Sequence, residues 1–394
     1  MELGVGPGDR QSPGPGTLPG RRFRGPSGPQ AARHGGHIRR LSQAAGIPPE
    51  ELLDFSASIN PLGPPRWLRE VVLKHLRDIE HYPDPECADL VEAIAARHGV
   101  APERVVVGNG SAEIIAALPR VLPVTRVLIP VPAYVDYAAA AAQAGLGVDR
   151  TPLAEEADFA LDPDSIGGLL RGGEAVFIGR PNNPTGMLCP APDLLLLAAR
   201  HPHSWLIVDE AFVEFVGERD GAGDGALLQA DAPNLVVLRS LTKLFAIPGL
   251  RLGFAVAPPD IALGLRRALA PWSVNALAQA VGVAALADTG YVQATRAFVR
   301  EERSGLAEKL AALPGLRVFP GRANYLLVKM GEGPVDARGL AQRLLQKGIA
   351  IRVCDDFDGL DGRYFRVAVR TAEENARLVE ETKLILASGG EAPR

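Results

Sequence analysis

Six short, almost unbroken apolar runs constrain this chain more than any other feature. They are Arg104–Val107, Arg126–Ile129, Ala175–Ile178, Trp205–Val208, Leu235–Arg239 and Leu252–Val256, separated by stretches with helical spacing. Runs without polar alternation suit strands covered by helices on both faces, so the pattern predicts an α/β fold with a mostly parallel central sheet. Ligands of such sheets sit beyond the carboxyl ends of the strands. Four polar segments fall at those ends: Gly108-Asn109-Gly110-Ser111, Pro181-Asn182-Asn183-Pro184, Asp209-Glu210 and Ser240-Leu241-Thr242-Lys243.

The pattern changes after about Asp288. A long helical stretch runs through Gly305-Leu306-Ala307-Glu308-Lys309, followed by strands at Leu316–Phe319 and Asn324–Lys329, a helix near Ala337–Lys347, and strands at Ile349–Val353 and Tyr364–Val369. These predict a smaller α+β domain over residues 288–394, beside a large domain over 86–287. Residues 34–85 are expected to form an N-terminal arm and part of the small domain. Residues 1–33, crowded with Gly, Pro, Arg and Ser, offer few apolar side chains to offset the entropy of ordering, and predict a disordered tail.

Composition narrows the function classes. With 394 residues and 47% hydrophobic content, the chain can bury a large core. A formal charge of −4 and the lack of a Lys/Arg stripe interleaved with aromatics argue against a nucleic-acid partner. Three dispersed cysteines, Cys87, Cys189 and Cys354, argue against a disulfide framework or a bound metal and favour a reducing, cytoplasmic setting. No apolar run of about 18 residues suggests a membrane span, and the N-terminus lacks the apolar core of a signal peptide.

The order Gly-Asn-Gly, Pro-Asn-Asn-Pro-Thr-Gly, Val-Asp-Glu-Ala, Ser-Leu-Thr-Lys and Pro-Gly-Leu-Arg-Leu-Gly resembles the fold-type-I pyridoxal 5′-phosphate (PLP) enzymes, in the branch of the histidinol-phosphate aminotransferases. Three further segments narrow the resemblance to the threonine-phosphate decarboxylases of cobalamin biosynthesis. They are His34-Gly35-Gly36 with Asp54–Gly63, Pro271-Trp272-Ser273-Val274-Asn275, and Pro320–Leu327.

The resemblance implies a division of labour. Lys243 is the candidate Schiff-base lysine, Asp209 the carboxylate beside the pyridine nitrogen, and Asn183 the partner of the ring's 3′ oxygen. Gly110, Ser111 and Ala112 would offer backbone donors to the cofactor phosphate at a helix N-terminus, with Ser240, Thr242 and Arg251 approaching from the other side. Tyr134 would stack on the ring. Tyr82 resembles a tyrosine that reaches the phosphate from a neighbouring subunit, which implies a homodimer with shared sites. Three residues after Asp209, where many aminotransferases carry tyrosine, this chain has Phe212, so one hydroxyl is missing.

For the substrate, a small phosphorylated amino acid, Arg366 matches the arginine that grips the α-carboxylate. Arg352 matches one facing the substrate phosphate, joined by His34, Gly35 and Asn60, and Asn183 also stands among the residues expected to bind substrate. His37 stands where many relatives have Asn. The implied reaction is decarboxylation of O-phospho-L-threonine to (R)-1-amino-2-propanol O-2-phosphate. Histidinol-phosphate aminotransferase is the alternative. A non-catalytic PLP-binding regulator is the alternative of another class, although the first 33 residues are too few and too Gly/Pro-rich for a winged helix.

Overall fold

In the computed structural model, which describes Met1, residues 35–217 and residues 225–389, the six apolar runs become strands of one sheet. In chain order, β1 (Leu53–Asp54) lies outside that sheet. The strands β2 (Val105–Asn109), β3 (Arg126–Val131), β4 (Gly147–Pro152), β5 (Glu174–Gly179), β6 (Trp205–Asp209), β7 (Leu235–Ser240) and β8 (Leu252–Val256) form it in the order β2-β8-β7-β6-β5-β3-β4. β8 runs antiparallel to both neighbours, and the other pairs are parallel.

The unbroken apolar runs have a simple cause. Successive side chains of a strand point to opposite faces, and here each face carries its own core. Val176, Ile178, Leu206, Val208, Leu235 and Val237 enter one cluster, while Ala175, Phe177, Ile207, Val236 and Leu238 enter the other. Each fully buried Val, Leu or Ile contributes about 1.5–3 kcal/mol relative to exposure, so a polar residue at any of these positions would strip out that term and strand an unpaired group. The edge strand β4 was not evident from the sequence. It pairs with β3 alone and is partly exposed, with Arg126 reaching Asp149 at 2.8 Å, so it never needed a continuous apolar run.

The C-terminal segment after the sheet holds β9 (Leu316–Val318), β10 (Tyr325–Met330), β11 (Ile349–Ala350), β12 (Arg352–Val353) and β13 (Tyr364–Ala368). An antiparallel sheet runs β12-β13-β10-β9, and β1 pairs in parallel with β11. The single strand expected over Ile349–Val353 is broken at Ile351: its first half pairs with β1, its second with β13. That switch sets Arg352 directly opposite Arg366. The expected long helix spans Thr289–Ala311, its N-terminus capped by Asp288, whose carboxylate accepts from the Tyr291 amide at 2.9 Å. Among the described residues, no helix is long and apolar enough to cross a membrane.

Candidate active site

The carboxyl ends of β2, β5, β6 and β7 meet the start of β8 at one edge, because antiparallel pairing sets Leu252 beside Asn109 and Gly253 beside Ser240. A cavity of roughly 520 Å³ opens there. Its wall contains Gly35, Gly110, Ser111, Ala112, Tyr134, Asn183, Asp209, Ser240, Thr242, Lys243, Arg251, Arg352 and Arg366 from the set expected on sequence grounds. Two glycines make the junction possible. A Cβ at Gly253 would lie 2.4 Å from the Ser111 amide nitrogen, and one at Gly110 would lie 2.7 Å from a guanidinium nitrogen of Arg251. Gly110 also has φ +80°, and Arg251 itself holds φ +59°, a conformation that costs a non-glycine residue of order 1 kcal/mol or more.

Lys243 lies on the short helix Leu241–Leu244 that follows β7. Its ammonium group is 4.8 Å from the centre of the Phe212 ring and 3.5 Å from Ser240 Oγ, which in turn shares a 2.8 Å hydrogen bond with Thr242 Oγ1. Burial lowers the Lys243 pKa to about 8. Asp209 opposes that shift, while Arg251 and Arg366 add to it. Burial also pushes the Asp209 carboxyl upward, and Lys243, the Tyr137 hydroxyl and the Ala211 amide pull it back. Tyr137 donates to Asp209 Oδ2 at 2.8 Å and Ala211 donates to Oδ1 at 3.0 Å. Tyr137, stacked on Phe177 with centroids 5.0 Å apart, thus fixes the carboxylate. Sequence reasoning missed it, since its spacing is that of any core tyrosine. Tyr134 meets it edge-on at 5.5 Å and keeps its proton, its pKa raised by burial and Asp136.

Two arginines form another part of the wall. Like charges directly opposite on paired strands are unfavourable without compensation. Arg352 has it in Asp356, whose two carboxylate oxygens each accept at 2.8 Å, and it lies over the Phe357 ring. Arg366 does not. Its acceptors are the neutral oxygens of Asn183, at 2.5 Å, and Ser56, at 3.0 Å, and its buried Nε has no hydrogen-bond partner among the described residues. Burial lowers its pKa. A buried guanidinium with neutral partners and an open donor is a socket for an anion.

Two expectations, at Gly110 and Asn60, need correction. Gly110 was to donate its amide to a phosphate, but that N–H turns back to Gly108 O at 2.7 Å. The donors at the N-terminus of helix Ser111–Val121 are therefore Ser111 and Ala112, where first-turn amides have no intrahelical acceptor. Asn60 was to contact substrate, but its side chain is a buried strut. Its amide donates to Leu244 O at 2.7 Å and to the hydroxyls of Tyr291 and Thr295 at 2.9 Å, and its backbone N–H holds Lys243 O at 3.1 Å. Ser58, two residues earlier, lines the cavity instead, with a buried hydroxyl lacking a partner among the described residues. Tyr82 does not line this chain's own cavity; it is 81% exposed and stacks on Trp272 at 4.7 Å. His34 lies outside the described residues. Its neighbour Gly35 is sterically required, since a Cβ would sit 2.0 Å from Ser56 O.

These groups fit pyridoxal 5′-phosphate. A buried carboxylate and a buried lysine share one cavity, two helix amides with Ser240, Thr242 and Arg251 supply an anion cradle, and a tyrosine ring and Phe212 supply apolar walls.

Comparison with known proteins agrees with this geometry. Residues 50–381 match the family model described as aminotransferase class I and II. A threonine-phosphate decarboxylase from Salmonella typhimurium is 41% identical over 356 residues, covering 90% of this chain and 96% of that protein. The adenosylcobalamin biosynthesis bifunctional protein CobDQ of Leptospira interrogans is 34% identical over 88% of this chain, which spans 40% of that longer protein. Among solved structures, histidinol-phosphate aminotransferase from Clostridium acetobutylicum superposes with a TM-score of 0.79 at 30% identity, over 86% of this chain and 100% of that one.

Proposed function

The chain belongs to the class I and II aminotransferase family, and on that premise we propose that it decarboxylates O-phospho-L-threonine, with PLP as cofactor, in cobalamin biosynthesis. The observation that carries this reading is the pair Arg352 and Arg366, opposite each other on β12 and β13 and lining the cavity that holds Lys243. Two guanidinium groups on one cavity wall, Arg366 with an open donor and Arg352 held in place by Asp356, suit a substrate with two anionic groups, a carboxylate and a phosphate. The threonine-phosphate decarboxylase relative, aligned over nearly its whole length, supports the same substrate.

When bound, the cofactor supplies an electron sink for the pair left at the substrate α-carbon as carbon dioxide departs. Asp209 keeps the ring nitrogen protonated, and Tyr137 and Ala211 hold its carboxylate in place. Ser111, Ala112, Ser240, Thr242 and Arg251 hold the cofactor phosphate. Asn183 would bond the ring oxygen through its amide, while its carbonyl oxygen accepts from Arg366, an arrangement that would tie cofactor recognition to carboxylate recognition. Lys243, with a pKa near 8, has a neutral amine fraction at neutral pH, the form that would hold the cofactor, and its amine would supply the proton taken up at the α-carbon. Arg366 grips the α-carboxylate. Arg352, Gly35 and Ser58 face the substrate phosphate.

The protein works as a homodimer in this reading, Tyr82 of each subunit completing the other's cofactor site. Tyr82, Leu73, Leu76, Ile79 and Trp272 are exposed large apolar side chains that a second copy would cover. The test is to supply PLP-loaded protein with O-phospho-L-threonine or histidinol phosphate, each with and without 2-oxoglutarate. Carbon dioxide from the first, independent of the oxo acid, is expected. Glutamate formed only with histidinol phosphate and the oxo acid would overturn the decarboxylase in favour of an aminotransferase.

A further inference from the structure

Arg180, Glu210 and Arg239 are charged and 1%, 1% and 4% exposed, yet none has a part in the chemistry above. Ions so deeply withdrawn from water persist only when paired and hydrogen-bonded. Here one carboxylate serves two guanidinium groups. Glu210 Oε1 accepts from Arg180 at 2.5 Å, and Oε2 accepts from Arg239 at 2.8 Å. The network continues outward from Arg239 to Glu214 at 2.5 Å, and Arg296, on the helix Thr289–Ala311, approaches the same carboxylate at 3.4 Å.

The position of these residues in the sheet gives the network its meaning. Arg180 directly follows β5 and precedes Pro181-Asn182-Asn183; Glu210 directly follows Asp209, the last residue of β6; Arg239 directly precedes Ser240, the last residue of β7. Backbone bonds already link neighbouring ends, Arg180 N to Asp209 O at 2.8 Å and Glu210 N to Leu238 O at 2.9 Å. The Glu210 carboxylate adds a crosslink spanning all three. Resting on the PLP reading above, we infer that Glu210 is a positioning residue that holds the segments bearing Asn183, Asp209 and Lys243 in register around the cofactor ring. Glu210 touches neither cofactor nor substrate. It acts through the spacing of three strand ends, where displacements of about 1 Å are enough to cost on the order of 100-fold in rate.

The test compares Glu210→Gln with Glu214→Gln, which weakens only the outer part of the network. Each apoprotein is titrated with PLP, the visible band of the bound cofactor is followed against pH, and thermal unfolding is recorded. Glu210→Gln is expected to raise the PLP dissociation constant about tenfold or more, to move the pH midpoint of the band, and to lower kcat more than it raises KM. Glu214→Gln is expected to lower the melting temperature while leaving dissociation constant and midpoint within about twofold and a few tenths of a pH unit. Equal effects of the two variants, or a Glu210→Gln band and affinity like the wild type, would reduce Glu210 to general packing and overturn the inference. If Glu210→Gln does not fold, Arg180→Lys keeps the charge but loses the planar fork, and should weaken PLP binding in the same sense; unchanged binding would overturn the inference equally. Failure of the wild type itself to develop a visible band would instead sink the cofactor reading.

Discussion

The cofactor-facing and substrate-facing parts of the cavity differ in how completely the chain satisfies its own polar groups. On the cofactor side, Asp209 has two donors, Ser240 and Thr242 bond each other, and a buried ion network backs the strand ends. On the substrate side, Arg366 Nε and Ser58 Oγ are buried without partners among the described residues. Leaving a buried donor unmade costs about 1–3 kcal/mol, so two on one wall are explained by a ligand that completes them. The contrast suits a resident group held by a prebuilt cradle and a transient one recognised by open valences.

The most severe break of the contrast is on the cofactor side. Lys243→Ala should abolish the visible absorbance and lower turnover by up to about 10⁴-fold, read by spectrum and carbon dioxide release; retained activity would remove Lys243 from the chemistry. Next, Asp209→Ala should lower kcat about 10²- to 10³-fold, since it removes a fixed charge from beside the ring. A normal kcat would mean that the ring nitrogen needs no partner.

On the substrate side the effects should fall on KM. Arg352→Ala is expected to raise KM for phosphothreonine about 10- to 100-fold while the PLP dissociation constant barely moves, because one charge-assisted contact to the substrate is lost. Weakened PLP binding with unchanged KM would place Arg352 on the wrong side of the comparison. Ser58→Ala should raise KM only a few-fold, the loss of one hydroxyl contact of about 1 kcal/mol. Asn60→Ala should instead lower kcat, because it removes the side-chain amide that holds the carbonyl of Leu244, the residue next to Lys243.

The lysine also predicts a pH dependence. On the PLP reading only its neutral amine would capture the cofactor, and burial has lowered its pKa to about 8. Capture of PLP by the apoprotein should therefore rise about tenfold per pH unit below pH 8 and level off above it, as followed by stopped-flow absorbance. A rise continuing beyond pH 10 would show an unperturbed lysine and contradict the burial argument.

The same contrast governs what could be read from the sequence. Much of the cofactor side could be proposed from the sequence because its groups sit within a few residues of strand ends, in contiguous motifs such as Ser240-Leu241-Thr242-Lys243, whereas Tyr137, which reaches Asp209 across 72 positions, could not. The substrate side is assembled from residues near 35, 58, 352 and 366, and no local pattern says which side chain faces inward. Asn60 shows why: its amide partners Tyr291 and Thr295 lie more than 230 positions away, and that distant contact decides that Asn60 is a strut and Ser58 the wall. Similarly, the break at Ile351 comes from competition between β1 and β13 for one apolar stretch. The edge strand β4 lay hidden because an edge tolerates polar residues.

The most direct test follows one carbon atom. O-phospho-L-threonine labelled with ¹³C in its carboxyl group, incubated with PLP-loaded protein and no oxo acid, should lose the label to carbon dioxide and bicarbonate in the NMR spectrum, over many turnovers per active site. Label that stays on an organic product, or moves only once 2-oxoglutarate is added, would contradict the decarboxylase.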